Sequence, residues 1–213
     1  YYDKYAGKDT SQDKTEDKTE DKTADSVEIS ATHAKYINSA STHYISNSGS
    51  DENGAYSGGQ AGDQTGKEWC MRSWYSRPWT CVLRYPDQKV GLKLAQLAID
   101  AALNDKIGYD QRQNRPYLAQ LKSVGWEPSK ITVACEADCS AGVCANVTAA
   151  GYLLGIKALQ THTGTRTIRS ALEIISFLRK GTHKDPCSYS FIRDQSSFTV
   201  GDLNILFHIQ KPR

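Results

Sequence analysis

Cys139 is the residue around which a chemical reading of this chain turns. It stands in Cys135-Glu136-Ala137-Asp138-Cys139-Ser140-Ala141-Gly142-Val143-Cys144, and small residues continue to Gly151. The pattern predicts a polar turn at Ala137-Asp138 and a helix over Ser140 to Ala150, opening at or just after Cys139. Asp138 and Ser140 suit the first positions of such a helix, because short polar side chains accept its unpaired N–H groups. Those N–H groups also place partial positive charge at the helix start. A thiol held there ionises more easily, and the thiolate is the nucleophile. The alternative is that Cys135, Cys139 and Cys144 are structural, since free cysteine packs as a small buried hydrophobe.

A thiol nucleophile needs a base, usually His, and a third group to orient that base. The chain has five His: His33, His43, His162, His183 and His208. His33 and His43 fall in or near a first predicted helix. His162 and His183 sit among Thr, Gly and Lys and read as loop residues. His208 ends the apolar run Gly201-Asp202-Leu203-Asn204-Ile205-Leu206-Phe207-His208-Ile209. A strand there would hold an imidazole rigidly. A satisfied core or edge histidine is the competing reading.

The elements that must position these groups follow from pattern. Residues 1–26 carry the repeat Asp-Lys-Thr-Glu with almost no apolar content. Such a segment cannot offset its chain entropy by burial, so it reads as a disordered charged linker. The ordered domain is then expected over residues 27–213. Apolar spacing predicts helices over residues 27–45, Asp87–Asp105, Arg115–Val124 and Thr165–Lys180. Ser46 to Asp63 is a long loop rich in Gly, Ser, Asn and Asp. Trp69 to Tyr85 predicts one or two strands. Its Trp and Arg side chains suit either a sugar- or peptide-binding wall or a core hairpin. The tail reads as strands over Tyr189–Arg193 and Phe198–Ile209. Helices first and strands last point to an α+β fold.

Composition narrows the classes further. The chain has 213 residues, 38% of them hydrophobic, with a mean hydropathy of −0.58. No apolar run reaches the ~18 residues a membrane span needs, and no signal peptide is visible. The chain opens Tyr1-Tyr2-Asp3 without an initiator Met, so a fragment of a longer protein is expected. The net charge of +2 hides an asymmetry: residues 1–28 carry nine acids and five lysines, and the rest carries net +6. A mildly basic body suits an anionic partner, or is simply a solvated surface. Six cysteines are too few for a small disulfide scaffold; Cys70 and Cys81 could pair, and Cys187 follows Asp185-Pro186 in a late loop.

Asp138-Cys139-Ser140 opening a helix, then Gly201-Asp202-Leu203 and His208, resembles the papain-fold cell-wall hydrolases, the NlpC-type peptidases and CHAP amidases. The loop Gly58-Gly59-Gln60-Ala61-Gly62-Asp63-Gln64-Thr65-Gly66-Lys67-Glu68, with Arg72-Ser73-Trp74-Tyr75 and Arg77-Pro78-Trp79, is similar to a narrower group. These are phage endolysins and prophage-encoded peptidoglycan amidohydrolases of Gram-positive hosts. The likeness spans roughly Tyr44 to Gly201.

The resemblance implies a papain-like α+β fold, with N-terminal helices packed on a small antiparallel sheet. It implies amide hydrolysis in peptidoglycan, with Cys139 as nucleophile and His208 as proton relay. The Cys139 backbone N–H would bind the oxyanion. Substrate contacts are expected from Asp63, Gln64, Trp74, Asp138 and Ser140. No cofactor, metal, nucleic-acid partner or membrane span is implied, and the expected state is a monomer acting outside the cell or at the wall. In the family a further strand follows the His and carries a third polar residue. Here the chain stops at Lys211-Pro212-Arg213, so either the fold is truncated or altered at its C-terminus or His208 is not the base. The rivals are a non-catalytic wall-binding or structural protein on the same fold, and a zinc module built from Cys135, Cys139 and Cys144. The C-x3-C-x4-C spacing is wide for a zinc knuckle.

Overall fold

A computed structural model describes residues 27–39, 41–75, 82–161, 164, 166–175, 178–181 and 205–206. The linker expected over residues 1–26 lies outside them. So do Cys81, His162, His183, Cys187 and His208, and the strand expected over Tyr189–Arg193.

Among the described residues the fold is mixed α+β, with five α-helices and small sheets. The order is α1 (Ala31–Ile37), β1 (Tyr44–Ser48), β2 (Trp69–Ser73), β3 (Val82–Arg84), α2 (Gln88–Ala102), β4 (Ile107–Tyr109), α3 (Pro116–Ser123), β5 (Cys135–Ala137), α4 (Cys139–Leu153), α5 (Ile168–Ile174), β6 (Leu178–Gly181) and β7 (Ile205–Leu206). Helices and strands interleave, so the expectation of helices first and strands last is corrected. Strands β1 and β2 form an antiparallel pair, and β3 pairs antiparallel with both β6 and β7. Strands β4 and β5 are parallel, in the register Gly108↔Glu136. Parallel neighbours need a crossover connection, and α3 lies within it.

Helix α2 forms where its pattern places it. Asp87 caps it, Oδ1 accepting the Lys89 N–H at 2.8 Å. Val90, Leu94, Leu97 and Ala101 recur on one face and are buried. Each large aliphatic there stabilises the fold by about 1.5–3 kcal/mol. Helix α4 is different: from Cys144 to Gly151 every residue is buried. A helix buried all round is the centre of a core. Trp69, Leu94, Ile107, Tyr117, Leu121 and Val147 belong to the one apolar cluster around it.

Two predicted helices are shorter than expected. The first ends at Ile37, and Tyr44 already belongs to β1. The stretch between is polar, and Ser39 Oγ accepts the Thr42 N–H at 3.2 Å. Such local bonds compete with helix. The helix expected over Thr165–Lys180 covers only Ile168–Ile174, and the chain then enters β6 to pair with β3. Sheet pairing there overrides the apolar helical spacing.

Candidate active site

Cys139 is the first residue of α4 and is half-buried. Asp138 is the N-cap: its Oδ1 accepts the Ala141 N–H at 2.8 Å and the Ser140 hydroxyl at 2.6 Å. The cap is itself anchored, because the Asp138 N–H donates to Gln113 O at 2.8 Å. Asp138, Cys139 and Ser140 thus form one built unit at the end of β5. The first four N–H groups of a helix lack partners inside it, and the Cys139 N–H is among them.

Tyr109, at the end of β4, is buried within electrostatic reach of Cys139 and Asp138. Burial, then Cys139 and Asp138, push its phenol well above the usual tyrosine range. It stays neutral and can serve as a donor. Tyr56 also acts on it from the Gly-rich loop. That loop is pinned to the segment after β4: Gln111 N–H donates to Tyr56 O at 2.8 Å and Gly58 N–H to Asp110 Oδ2 at 3.0 Å. Tyr56 itself is 54% exposed.

The carboxylates of Asp51, Glu52 and Glu68 from the loop, and of Asp110 after β4, all act on Glu136 of β5. Burial, then Asp110, Glu68, Glu52 and Asp51, push the Glu136 carboxyl up to about 7. Glu68 is also raised, by burial first. Backbone N–H groups hold most of these oxygens. Glu68 Oε1 accepts Gln64 N–H at 3.1 Å and Oε2 accepts Tyr109 N–H at 3.1 Å. Asp110 Oδ1 accepts Arg112 N–H at 2.7 Å. Gly108 makes the approach possible, since a Cβ there would fall 2.5 Å from Gly62 O and 2.8 Å from Glu68 Oε2.

Of the sequence-predicted substrate residues, Asp138 and Ser140 adjoin Cys139. Asp63 is buried, and its two oxygens accept the N–H groups of Thr65, Lys67, Glu68 and Trp69 at 2.9–3.2 Å. It shapes the loop. Gln64 is exposed and folds back, its Nε2 donating to Ala61 O at 3.0 Å and Gly62 O at 2.9 Å. Trp74 follows β2, its N–H donating to His43 O at 2.7 Å. His208 lies outside the described residues. His33 is engaged elsewhere, with Nε2 2.8 Å from Asp100 Oδ1 on α2.

Tyr109, Asp110 and Glu136 are the site residues that pattern missed. Three-residue strands carry no readable alternation, so only the adjacency of Glu136 to Cys139 pointed that way. The other cysteines differ from Cys139. Cys135 is buried, and burial followed by Glu136 pushes its thiol up to about 12. Cys70 is a free thiol, its Sγ 3.6 Å from Lys67 O, and Cys81, with which it could pair, lies outside the described residues. Asn146 is buried and accepts the Tyr117 hydroxyl at 2.6 Å. Among the described residues no three His, Cys, Asp or Glu side chains are grouped so as to hold a metal ion.

The sequence model of the endolysin-like domain matches residues 45–205, which contain the loop, the capped helix and Cys139. The chain belongs to the endolysin-like domain family. Membership points to cell-wall lysis, to peptidoglycan as the polymer acted on, and to a phage-released or wall-acting protein. No curated protein and no solved structure matches this endolysin-like domain. No helix among its described residues is long and apolar enough to cross a membrane.

Proposed function

We propose that this endolysin-like domain hydrolyses an amide bond of peptidoglycan through Cys139, on a papain-like variant of the α+β fold. The observation that carries the reading is the placement of Cys139 as first residue of an Asp138-capped helix, inside the family match. Partial positive charge at that helix start favours the thiolate. The thiolate attacks the amide carbonyl carbon, forming a C–S bond and an oxyanion. The Cys139 N–H stabilises the oxyanion, and Tyr109 stands by as a second neutral donor. Collapse breaks the C–N bond, and the amine leaves with a proton from the base. Water then releases the acyl group and restores the thiol. His208, two residues beyond β7, is the proposed base. Asp138 and Ser140 are the proposed substrate contacts beside the thiol, with Gln64 and Trp74 farther along the chain. The protein acts as a monomer without a cofactor.

The test is release of new amino groups from purified cell walls. Wild type should release them, and Cys139→Ala should lower the rate by about 10³-fold or more while still sedimenting with walls. If wild type and Cys139→Ala release equal amounts, the hydrolase reading fails. Wall binding without cleavage by either protein would instead support the non-catalytic reading.

A further inference from the structure

Trp126 and Tyr152 stack with their rings nearly parallel, centroids 4.2 Å apart and planes 7° apart. The pair joins the segment just after α3 to the last turn of α4. Trp126 is half-buried and packs against the apolar core, as do Val124, Leu154 and Ile156. Tyr152 is 51% exposed. One of its faces is covered by the indole, so the exposed area belongs to the other face and the hydroxyl edge. From core to solvent the order is apolar cluster, indole, phenol.

The backbone that presents the indole is unusual. Helix α3 ends on a closing bond, Trp126 N–H to Leu121 O at 2.7 Å, with Gly125 left-handed at φ 75°. That kind of helix end asks for one left-handed residue, usually Gly, and often an apolar residue after it. Trp126 is left-handed as well, at φ 72°, and is the one non-glycine residue with positive φ among the described residues. Such a conformation costs about 1–2 kcal/mol for a residue with a Cβ. The helix end explains an apolar side chain at 126. It does not explain this backbone, or a half-exposed ring stacked outside the indole. Strain of this kind persists only where the surroundings fix it, and it clusters where ligands are held. Its effect here is a flat phenol face set at a fixed angle before any ligand arrives.

A preset flat face suits a ligand with C–H groups on its faces and polar groups around its edge. A β-linked hexosamine ring is built that way. A rigid aromatic ring gives such a ligand contact area at little ordering cost. Polar groups stand beside the indole in sequence: Lys130 Nζ and Glu127 Oε1 form a solvent-exposed pair at 2.7 Å in the turn after it. The endolysin-like family acts on peptidoglycan, whose glycan strand is a run of N-acetylated hexosamines. A docked protein fits less well. One phenol face, with exposed Leu153 next to it in sequence, falls far short of the roughly 800 Å² per partner of a stable interface.

We propose that the Trp126–Tyr152 stack is an accessory sugar-binding platform, on which the outer face of Tyr152 takes an N-acetylhexosamine ring of the glycan strand. The platform is separate from the thiol site. Tyr152 and Cys139 stand at opposite ends of α4, a rise of about 20 Å. It holds the polymer and takes no part in bond cleavage, so it stands whether or not Cys139 is the nucleophile.

The probe is the soluble tetramer of β-1,4-linked N-acetylglucosamine, titrated into the whole chain and followed by NMR. The Trp126 indole N–H and the backbone amides of Tyr152, Leu153 and Gly155 should shift and saturate, while those of Cys139 and Ala141 stay in place. Tyr152→Ala should weaken binding at least about tenfold, as for a truncated aromatic anchor. Tyr152→Phe keeps the face and should recover most of the affinity. Should Tyr152→Ala fail to fold, cross-relaxation in the wild type decides: the Tyr152 ring protons should contact protons of the sugar ring. No saturable shift, shifts confined to the start of α4, equal affinity of Tyr152→Ala and wild type, or a bound sugar without contact to Tyr152 would each overturn the platform.

Discussion

The Trp69 ring lies directly over Gly142 in the first turn of α4: a Cβ at position 142 would fall 2.5 Å from Trp69 Cη2 and 3.0 Å from Cζ3. The ring cannot easily retreat. Its Nε1 donates to Ser46 Oγ at 2.8 Å, that hydroxyl donates to Ala98 O at 2.8 Å, and Tyr117 packs edge-on with centroids 5.3 Å apart. Helix α4 and the β1–β2 pair are thus locked together three residues from Cys139. Alanine favours helix over glycine by about 1 kcal/mol, but overpacking costs about 1–3 kcal/mol. Gly142→Ala should therefore be destabilising on balance, with a lower midpoint in urea. A midpoint equal to or above wild type would show that the ring moves aside freely.

Asp138 joins stability to the placement of the thiol. Its Oδ1 serves both Ala141 N–H and Ser140 Oγ. Asp138→Ala should cost about 0.5–2 kcal/mol, the ordinary range for a lost N-cap. Asp138→Asn retains a capping oxygen and should recover most of that. Chemical denaturation of the three proteins checks the order, and equal stabilities would remove the cap from the account.

Asp63 makes a different prediction from the one its sequence context suggests. Four backbone N–H groups converge on its two oxygens. Asp63→Ala strands these donors, each costing about 1–3 kcal/mol if it stays buried. The loop should open, and limited proteolysis should cut between Gly54 and Lys67 faster than in wild type. An unchanged cutting rate would mean that the other loop contacts suffice.

Thiol chemistry should separate the cysteines. Cys135 is buried and its thiol is pushed up to about 12, and Cys144 is buried in α4. Cys139 is half-buried at a helix start. Brief treatment of the native protein with iodoacetamide at pH 8 should modify Cys139 well ahead of Cys135 and Cys144, as read by peptide mass spectrometry. Equal labelling of Cys135 and Cys139 would contradict this difference in environment.

The parts of the site legible in sequence are those with local signatures. Asp138 before a small-residue run is a cap signal, and Asp87 before an amphipathic run is another; both helices form as expected. The pairing of Gly108 with Glu136 had no such signature. It joins residues far apart in the chain through strands three residues long. Glu136 and Asp110 also have the composition of solvated surface, and only the fold shows that backbone N–H groups hold the Asp110 carboxylate and that Glu136 is buried among acids that act on it. Tyr44 and Leu178 were drawn into predicted helices by apolar spacing, where strand partners at Ser73 and Arg84 decide the outcome.

The raised Glu136 carboxyl has a consequence for global stability whose sign is fixed. Burial and neighbouring acids lift it from the ordinary 4.5 to about 7, so the folded chain holds a proton that the unfolded chain has released. Between those values the folded state binds more protons, and stability must fall as pH rises. The slope from this one group is at most about 1.4 kcal/mol per pH unit. Its contribution is fully present below 4.5 and gone above about 7. Urea denaturation at half-unit steps from pH 4.5 to 8 should show wild type losing stability relative to Glu136→Gln across that window and holding a constant difference beyond it. A constant difference throughout would mean that Glu136 titrates alike in both states, and that burial and the neighbouring carboxylates do not raise it.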